Sequence, residues 1–381
     1  MDDEDWTPQT QAAQALGWTD AETGAVVQPL HPSTTYLRDA DNRYRRGRQY
    51  ARADNPGFDQ PQALLAALER GAQALLFSSG MAAATSCFLA LRPGDHVVVP
   101  DVMYWSLRAW LKSYAQDWGL VVDSVDMANL DAVRTAMRPG RTKLVWIETP
   151  SNPLWQITDI AAVAELAHDA GARAAVDSTC ATPVLTRPLA LGADIVMHSA
   201  TKYLNGHSDV IAGALVTGTC DEYWQSICSL RVRLGSVLGA FEAYLLTRGM
   251  RTLFVRVQAA CANAMKIALA MQENPHVAEV LYPGLADRPD HALAARQMQG
   301  GFGGMLSIRL KGGEAAAIKT AAGVKLWKRA TSLGGVESLI EHRGSVEGAG
   351  SPCPMDLLRL SAGIEAAKDL IADLEQALAA G

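Results

Sequence analysis

A chain of 381 residues, 49% apolar and 19% charged, is long enough for two domains around a large core and has the balance of a soluble globular protein. Its formal net charge of −6 argues against a general affinity for nucleic acid, and the one basic stretch, RYRRGRQYAR (43–52), lacks repetition and a basic context. The six cysteines are scattered without a CxxC pair, which argues against a disulfide scaffold or a metal site and fits a reducing cytoplasm.

The chain opens on MDDEDWTPQTQ, acidic and polar, unlike a secretory signal or transit peptide. No apolar run approaches the ~20 residues that cross a bilayer. Residues 1–50 are rich in turn formers and predict an extended arm. From ALLFSSG onward, short apolar runs alternate with helical stretches: HVVVP (96–100), LVVDSVD (120–126), KLVWIETP (143–150), ARAAVDSTC (172–180), ADIVMHS (193–199) and AGALVTG (212–218). Apolar runs joined by helices predict a mostly parallel sheet buried on both faces, a three-layer α/β domain over 51–245. Beyond it, TLFVRVQAACANAMKIALAMQE reads as a helix, GGFGGMLSIRL as a glycine-rich loop leading into a strand, and AAKDLIADLEQALAA as an amphipathic helix. These predict a second, smaller α+β domain over 246–381.

In open α/β sheets, ligands bind at the carboxyl ends of strands. Here those ends carry Ser78-Ser79-Gly80, Glu148, Asp177 and the group from Ser199 to Lys202. A glycine turn before a helix places the amides of Ser79, Gly80 and Met81 to hold a phosphate, although a plain capped helix start has the same pattern. Asp177 ends a buried strand and needs a cation or donor. An arginine, a helix N-terminus or the protonated ring nitrogen of a heterocyclic cofactor would each serve. Lys202 stands in HSATKYLNGHSD among Ser199, Thr201 and Ser208. An amine shielded from water there has a depressed pKa and becomes a usable nucleophile. A phosphate clamp, a strand-end aspartate and a pocket lysine are what pyridoxal 5'-phosphate (PLP) requires as anchor, pyridinium partner and Schiff base.

The segments SSGMAA, IETPSNP, VDSTCATP, HSATKYLNGHSD, SLGGVESLIEH and LRLSAGIE, in that order, resemble the PLP-dependent enzymes of cysteine and methionine metabolism. That group holds cystathionine γ-synthases, γ-lyases, β-lyases and methionine γ-lyases, and the resemblance runs from PLHPSTTY (29–36) to LLRLSAGIE (357–365). It implies a fold-type-I, aspartate aminotransferase-like architecture with a mostly parallel seven-stranded sheet. It implies that Lys202 bonds the cofactor aldehyde and shuttles protons, and that Asp177 keeps the pyridine nitrogen protonated. Gly80 and Met81 amides with Ser199 and Thr201 hydroxyls would bind the phosphate, and Tyr104 would stack on the ring and act as acid or base. Asn152 would lie near the phenolic oxygen and the substrate carboxylate, which Arg359 would grip with help from Ser332. Tyr50 and Arg52 would reach the phosphate of a neighbouring subunit, making a dimer the smallest working unit and a homotetramer the usual assembly. The implied partners are a small amino-acid substrate and other copies of the chain, with no membrane and no nucleic acid.

Some positions depart from the family pattern. WSLRAW follows Tyr104 where γ-acting members typically carry GGT, and in that respect resembles β-lyases. Ser178 and Cys180 stand where Asn and Phe or Trp are usual, and Cys180 reads as a small buried filler. Arg343 replaces a common proline and is either solvated or aimed at an acidic distal group; Glu337 is either a receptor for the distal ammonium of cystathionine or a surface acid. The motifs favour PLP-dependent γ-elimination or γ-replacement on a sulfur-containing or γ-substituted L-amino acid, with Cβ–S cleavage to pyruvate as the alternative.

Overall fold

The apolar runs become strands whose alternate side chains enter different layers. In the computed structural model, which describes residues 6–348 and 350–380, the first sheet comprises β1 (Gln73–Phe77), β2 (His96–Pro100), β3 (Val121–Val125), β4 (Thr142–Glu148), β5 (Arg173–Asp177), β6 (Ile195–His198) and β7 (Gly213–Thr217). Their order is β1-β7-β6-β5-β4-β2-β3. The central pairings are parallel, and β7 alone runs against its neighbours β1 and β6. On β4, Leu144 and Trp146 enter a core built with the helix Gly80–Leu89, whereas Val145 and Ile147 face the helix Ile160–Asp169. That two-sided burial explains strands without polar alternation. LVVDSVD is the exception: β3 lies at the edge and is only partly buried.

The second sheet joins β8 (Val277–Leu281), β9 (Met305–Leu310), β10 (Lys328–Arg329), β11 (Leu339–His342) and β12 (Leu357–Ser361) in the order β10-β11-β12-β9-β8. It is antiparallel apart from the β10–β11 pair. The helix Leu253–Gln272 serves both cores: Val257 and Ala260 pack with the first sheet's layer, Ile267 and Met271 with the second. No uninterrupted apolar run was expected to span a bilayer, yet this 20-residue helix is long and apolar enough to do so. Half of its apolar window is buried within the protein. Arg256, on the same helix, donates to the carbonyls of Tyr203 and Gly249.

The N-terminal segment is not extended throughout. Pro8–Gln14 forms a helix with Pro8 at its first position and the Thr7 hydroxyl as cap. After it the chain runs through a series of turns and is largely exposed, with Leu37 84% accessible, until the helix Pro56–Glu69 buries Leu64, Leu65 and Leu68 beneath the first sheet.

Candidate active site

Three chain segments close into one cradle at the carboxyl ends of β1 and β6. β1 ends in Ser78-Ser79, and the helix Gly80–Leu89 follows at once, with the Ser79 hydroxyl accepting the Ala82 N–H at 3.0 Å. A Cβ at Gly80 would lie 2.8 Å from both Cβ and Oγ of Ser199, and one at Gly213 would collide with the Ser79 carbonyl. Glycine at both positions therefore lets the helix start, the turn after β6 and the start of β7 meet. The first-turn N–H groups, Gly80 and Met81 among them, have no intrahelical acceptor. The Ser199 amide donates to Thr179 Oγ1 at 2.8 Å, and Ser199 lines the cavity. Thr201 is less free: its hydroxyl donates to the Ala212 carbonyl at 3.1 Å and accepts the Ala212 N–H at 2.9 Å.

β4 and β5 end side by side, pairing Glu148 with Asp177. Asp177 Oδ1 accepts the Thr179 N–H at 3.0 Å and the Thr179 hydroxyl at 2.5 Å. Burial pushes the Asp177 carboxyl above the usual carboxylate range, and the Thr179 bonds pull it part of the way back. Among the described residues no group hydrogen-bonds its Oδ2. Glu148 does more than end its strand. Its Oε2 accepts the Tyr104 N–H at 2.8 Å and its Oε1 the Asn152 N–H at 2.9 Å, so one buried side chain holds two loops in place. Burial, and then the Asp177 charge, push its carboxyl up to about 8. The signal available in the sequence was its place at a strand end next to Asp177; its two amide partners come from separate loops.

Lys202 projects into the same cavity and donates to Ser332 Oγ at 2.7 Å. Burial first, then the Arg359 cation, lower its amine to about 8. Ser332 has φ +93°, a conformation that a non-glycine side chain rarely adopts. Its hydroxyl faces Lys202 while its carbonyl accepts from Arg359 Nη2 at 2.8 Å. Arg359, 4% exposed in the middle of β12, also donates to Asn152 Oδ1 at 3.4 Å and pairs with Glu341 at 2.6 Å. The solvated reading of Arg343 is overturned: it is 2% exposed and pairs with Glu341 and Glu347, each at 2.9 Å.

The cavity enclosed by these groups has a volume of about 290 Å³. Gly80, Met81, Tyr104, Asn152, Asp177, Ser199, Thr201, Lys202, Ser332 and Arg359 all line it, together with Glu148, Cys180 and Arg343. Tyr104, 38% exposed, stands at the start of the helix Trp105–Trp110, where Trp105 and Leu107 add apolar wall. Burial raises the Cys180 thiol so far that it keeps its proton, as a wall residue would. Glu337 does not line the cavity, and its carboxylate accepts the Ser208 hydroxyl instead. Tyr50 and Arg52 also lie off the cavity wall, exposed on the N-terminal segment, the guanidinium 5.7 Å from the tyrosine ring centre.

The donor set fits PLP. The cradle that a Cβ at Gly80 would fill offers amides to a phosphate. A buried carboxylate with one oxygen left over suits a ring N–H⁺, and an amine shifted toward its neutral form suits an aldehyde.

Comparison with known proteins agrees. Residues 9–379 match the family model for Cys/Met metabolism PLP-dependent enzymes. Cystathionine gamma-synthase of Mycobacterium tuberculosis is 48% identical over 378 residues, covering 97% of this chain and 96% of that protein. Cystathionine beta-lyase of Coxiella burnetii is 40% identical over 368 residues, covering 94% of each. The crystal structure of cystathionine gamma synthase from Xanthomonas oryzae pv. oryzae in complex with cystathionine superposes with a TM-score of 0.93 at 40% identity, over 98% of both chains. The matched family spans both sheets and every segment that builds the cavity, and the chain belongs to the PLP-dependent enzymes of cysteine and methionine metabolism.

Proposed function

We propose that the chain carries out γ-replacement or γ-elimination on a sulfur-containing or γ-substituted L-amino acid, in the manner of a cystathionine γ-synthase. The observation that carries this reading is the Lys202–Ser332–Arg359 connection, which joins a proton-accepting amine to a buried guanidinium through one residue. An α-amino acid needs that pair: a base near Cα and a cation for its carboxylate. The 48% identity with a cystathionine gamma-synthase, against 40% with a beta-lyase, supports γ over β chemistry.

Bound PLP supplies the electron sink that makes a Cα–H bond ionisable. The chain's own residues do the rest. Gly80 and Met81 amides with the Ser199 hydroxyl would hold the phosphate, the Thr201 hydroxyl joining them on turning from the Ala212 carbonyl, and Asp177 would hold the ring nitrogen. Arg359 and Asn152 orient the substrate carboxylate, and Ser332 steers the Lys202 amine. Lys202 would take the Cα proton, hand it on within the site and, neutral again, take a Cβ proton, the Cβ–H electron pair closing a Cβ–Cγ double bond as the γ-substituent leaves with its own pair. Tyr104, at the cavity mouth, would cover the bound ring. Tyr50 and Arg52, exposed on the arm of residues 1–50, complete the site of a neighbouring copy, which makes a dimer, and a tetramer of two dimers, the working assembly. Residues 51–245 form the cofactor-binding unit and 246–381 the second unit, in a cytoplasmic enzyme. Glu337 meets the distal end of the substrate after turning from Ser208.

The test is the keto acid released when the PLP-loaded protein receives L-cystathionine alone. 2-Oxobutyrate supports Cγ–S cleavage, and cystathionine formed from a γ-activated homoserine ester with L-cysteine would add replacement. Pyruvate means Cβ–S cleavage and overturns the γ reading.

A further inference from the structure

Behind Arg359 runs a row of buried ion pairs. Glu341 on β11 pairs in register with Arg359 on β12. Its Oε2 forms ion pairs with two guanidinium groups at once, Arg359 Nη2 at 2.6 Å and Arg343 Nη1 at 2.9 Å, the latter as a hydrogen-bond donor. The other terminal nitrogen of Arg343 reaches Glu347 Oε1 at 2.9 Å, and Glu347 Oε2 meets Arg108 Nη2 at 3.2 Å. Arg108 belongs to the helix that follows Tyr104, so the row ties the Tyr104 wall to the Arg359 wall. None of the five side chains is more than 11% exposed.

Three guanidinium groups face two carboxylates, which leaves one positive charge in a low-dielectric wall. Such a charge is costly without a counter-ion. Arg359 and Arg343 both line the cavity, and one carboxylate bound at Arg359 would balance the row. Arg343 itself is a poor receptor for a distal anion. Both of its terminal nitrogens are engaged, and its Nε is buried without a hydrogen-bond partner among the described residues.

We propose that Arg343, braced by Glu347 and Arg108, is a positioning residue for the substrate carboxylate: by sharing Glu341 it keeps Arg359 open to a second carboxylate. Without Arg343, Glu341 would face Arg359 alone, neutralise it and compete with the substrate. The inference rests on the reading of Arg359 as the carboxylate-gripping residue.

The test compares L-alanine, which has no γ-substituent to lose, with ethylamine, the same molecule without its carboxylate. Dissociation constants are read from the change in cofactor absorbance of the PLP-loaded protein. Arg343→Met is expected to weaken L-alanine by about tenfold or more, the worth of a charge-assisted contact, and to leave ethylamine within about twofold. Adding Glu341→Gln to Arg343→Met removes the competitor and is expected to restore L-alanine binding. Equal weakening of both ligands, no weakening of either, or a double variant no better than the single one would overturn the brace. If Arg343→Met does not fold, Glu341→Gln alone reads the same competition: L-alanine should tighten and ethylamine should not change, and any other result overturns the proposal. Arg359→Met separates the two readings. If it does not weaken L-alanine relative to ethylamine, the role of Arg359 is wrong. If it does while Arg343→Met does not, only the brace is wrong.

Discussion

The Lys202 amine is the group whose ionisation can be followed most directly. At pH 8 about half of the Lys202 side chains are neutral, whereas an ordinary lysine amine is neutral in roughly one molecule in three hundred. Cofactor-free protein mixed with PLP should therefore develop colour with a pH dependence unlike that of Nα-acetyl-lysine. Dividing one rate by the other at each pH cancels the ionisations of PLP itself. The ratio should be flat below pH 8 and fall by about two orders of magnitude by pH 11, as the free amine catches up. Burial is the larger cause of the shift and the Arg359 cation the next, so Arg359→Met should move the start of the fall to higher pH. The same shift affects stability. The folded value lies below the unfolded one, so the cofactor-free fold binds fewer protons than the unfolded chain between about 8 and the ordinary lysine value of 10.5, and it gains stability as pH rises through that window. A ratio that stays level from pH 7 to 11 would refute the reasoning, since it would mean that Lys202 titrates as a solvated lysine.

Gly80→Ala places a methyl group against Cβ and Oγ of Ser199; it should cost about 1–3 kcal/mol of stability and weaken PLP retention about tenfold. Equilibrium dialysis against PLP checks this, and unchanged retention would disprove the cradle. Glu148→Gln keeps one acceptor but turns an amide N–H₂ toward a backbone N–H, at a cost of about 1–3 kcal/mol at pH 5. The raised carboxyl of Glu148 makes the cofactor-free protein lose stability as pH climbs from the ordinary glutamate value of 4.5 to about 8. The gap between wild type and variant in denaturant midpoint should therefore narrow toward pH 8, and a constant gap would rule out the shift.

Much of the architecture was legible because it rests on local chemistry. Runs such as HVVVP and AGALVTG contain the strands β2 and β7, since short β-branched segments flanked by turn formers have few other ways to bury themselves. Gly80, Asp177 and Lys202 were legible as candidates for a related reason: each lies at or just beyond a strand end, where the loops of an open α/β sheet begin, and all three line one cavity. The helix Pro8–Gln14 was missed because seven residues carry little periodicity, and the edge position of β3 was signalled only by Asp123 and Ser124, which interrupt its apolar run.

Arg343, Glu148 and Glu337 mark the limit. Arg343 could be solvated or engaged as far as its neighbours in sequence showed. Its burial follows from the pairing of β11 with β12 and from a turn that brings Glu347 onto Arg108, a contact 239 residues apart. Glu148 holds loops that end 44 positions before it and four after it, and Glu337 turns to Ser208, 129 positions away. Residue type and strand-end position, both written in the chain, determined which groups could do chemistry here. Which charges are paired, which amine loses its proton and which carboxylate faces which cation were decided by the tertiary structure. Coulomb energy and desolvation depend on distance through space and on exclusion of water, and neither is a property of spacing along the chain.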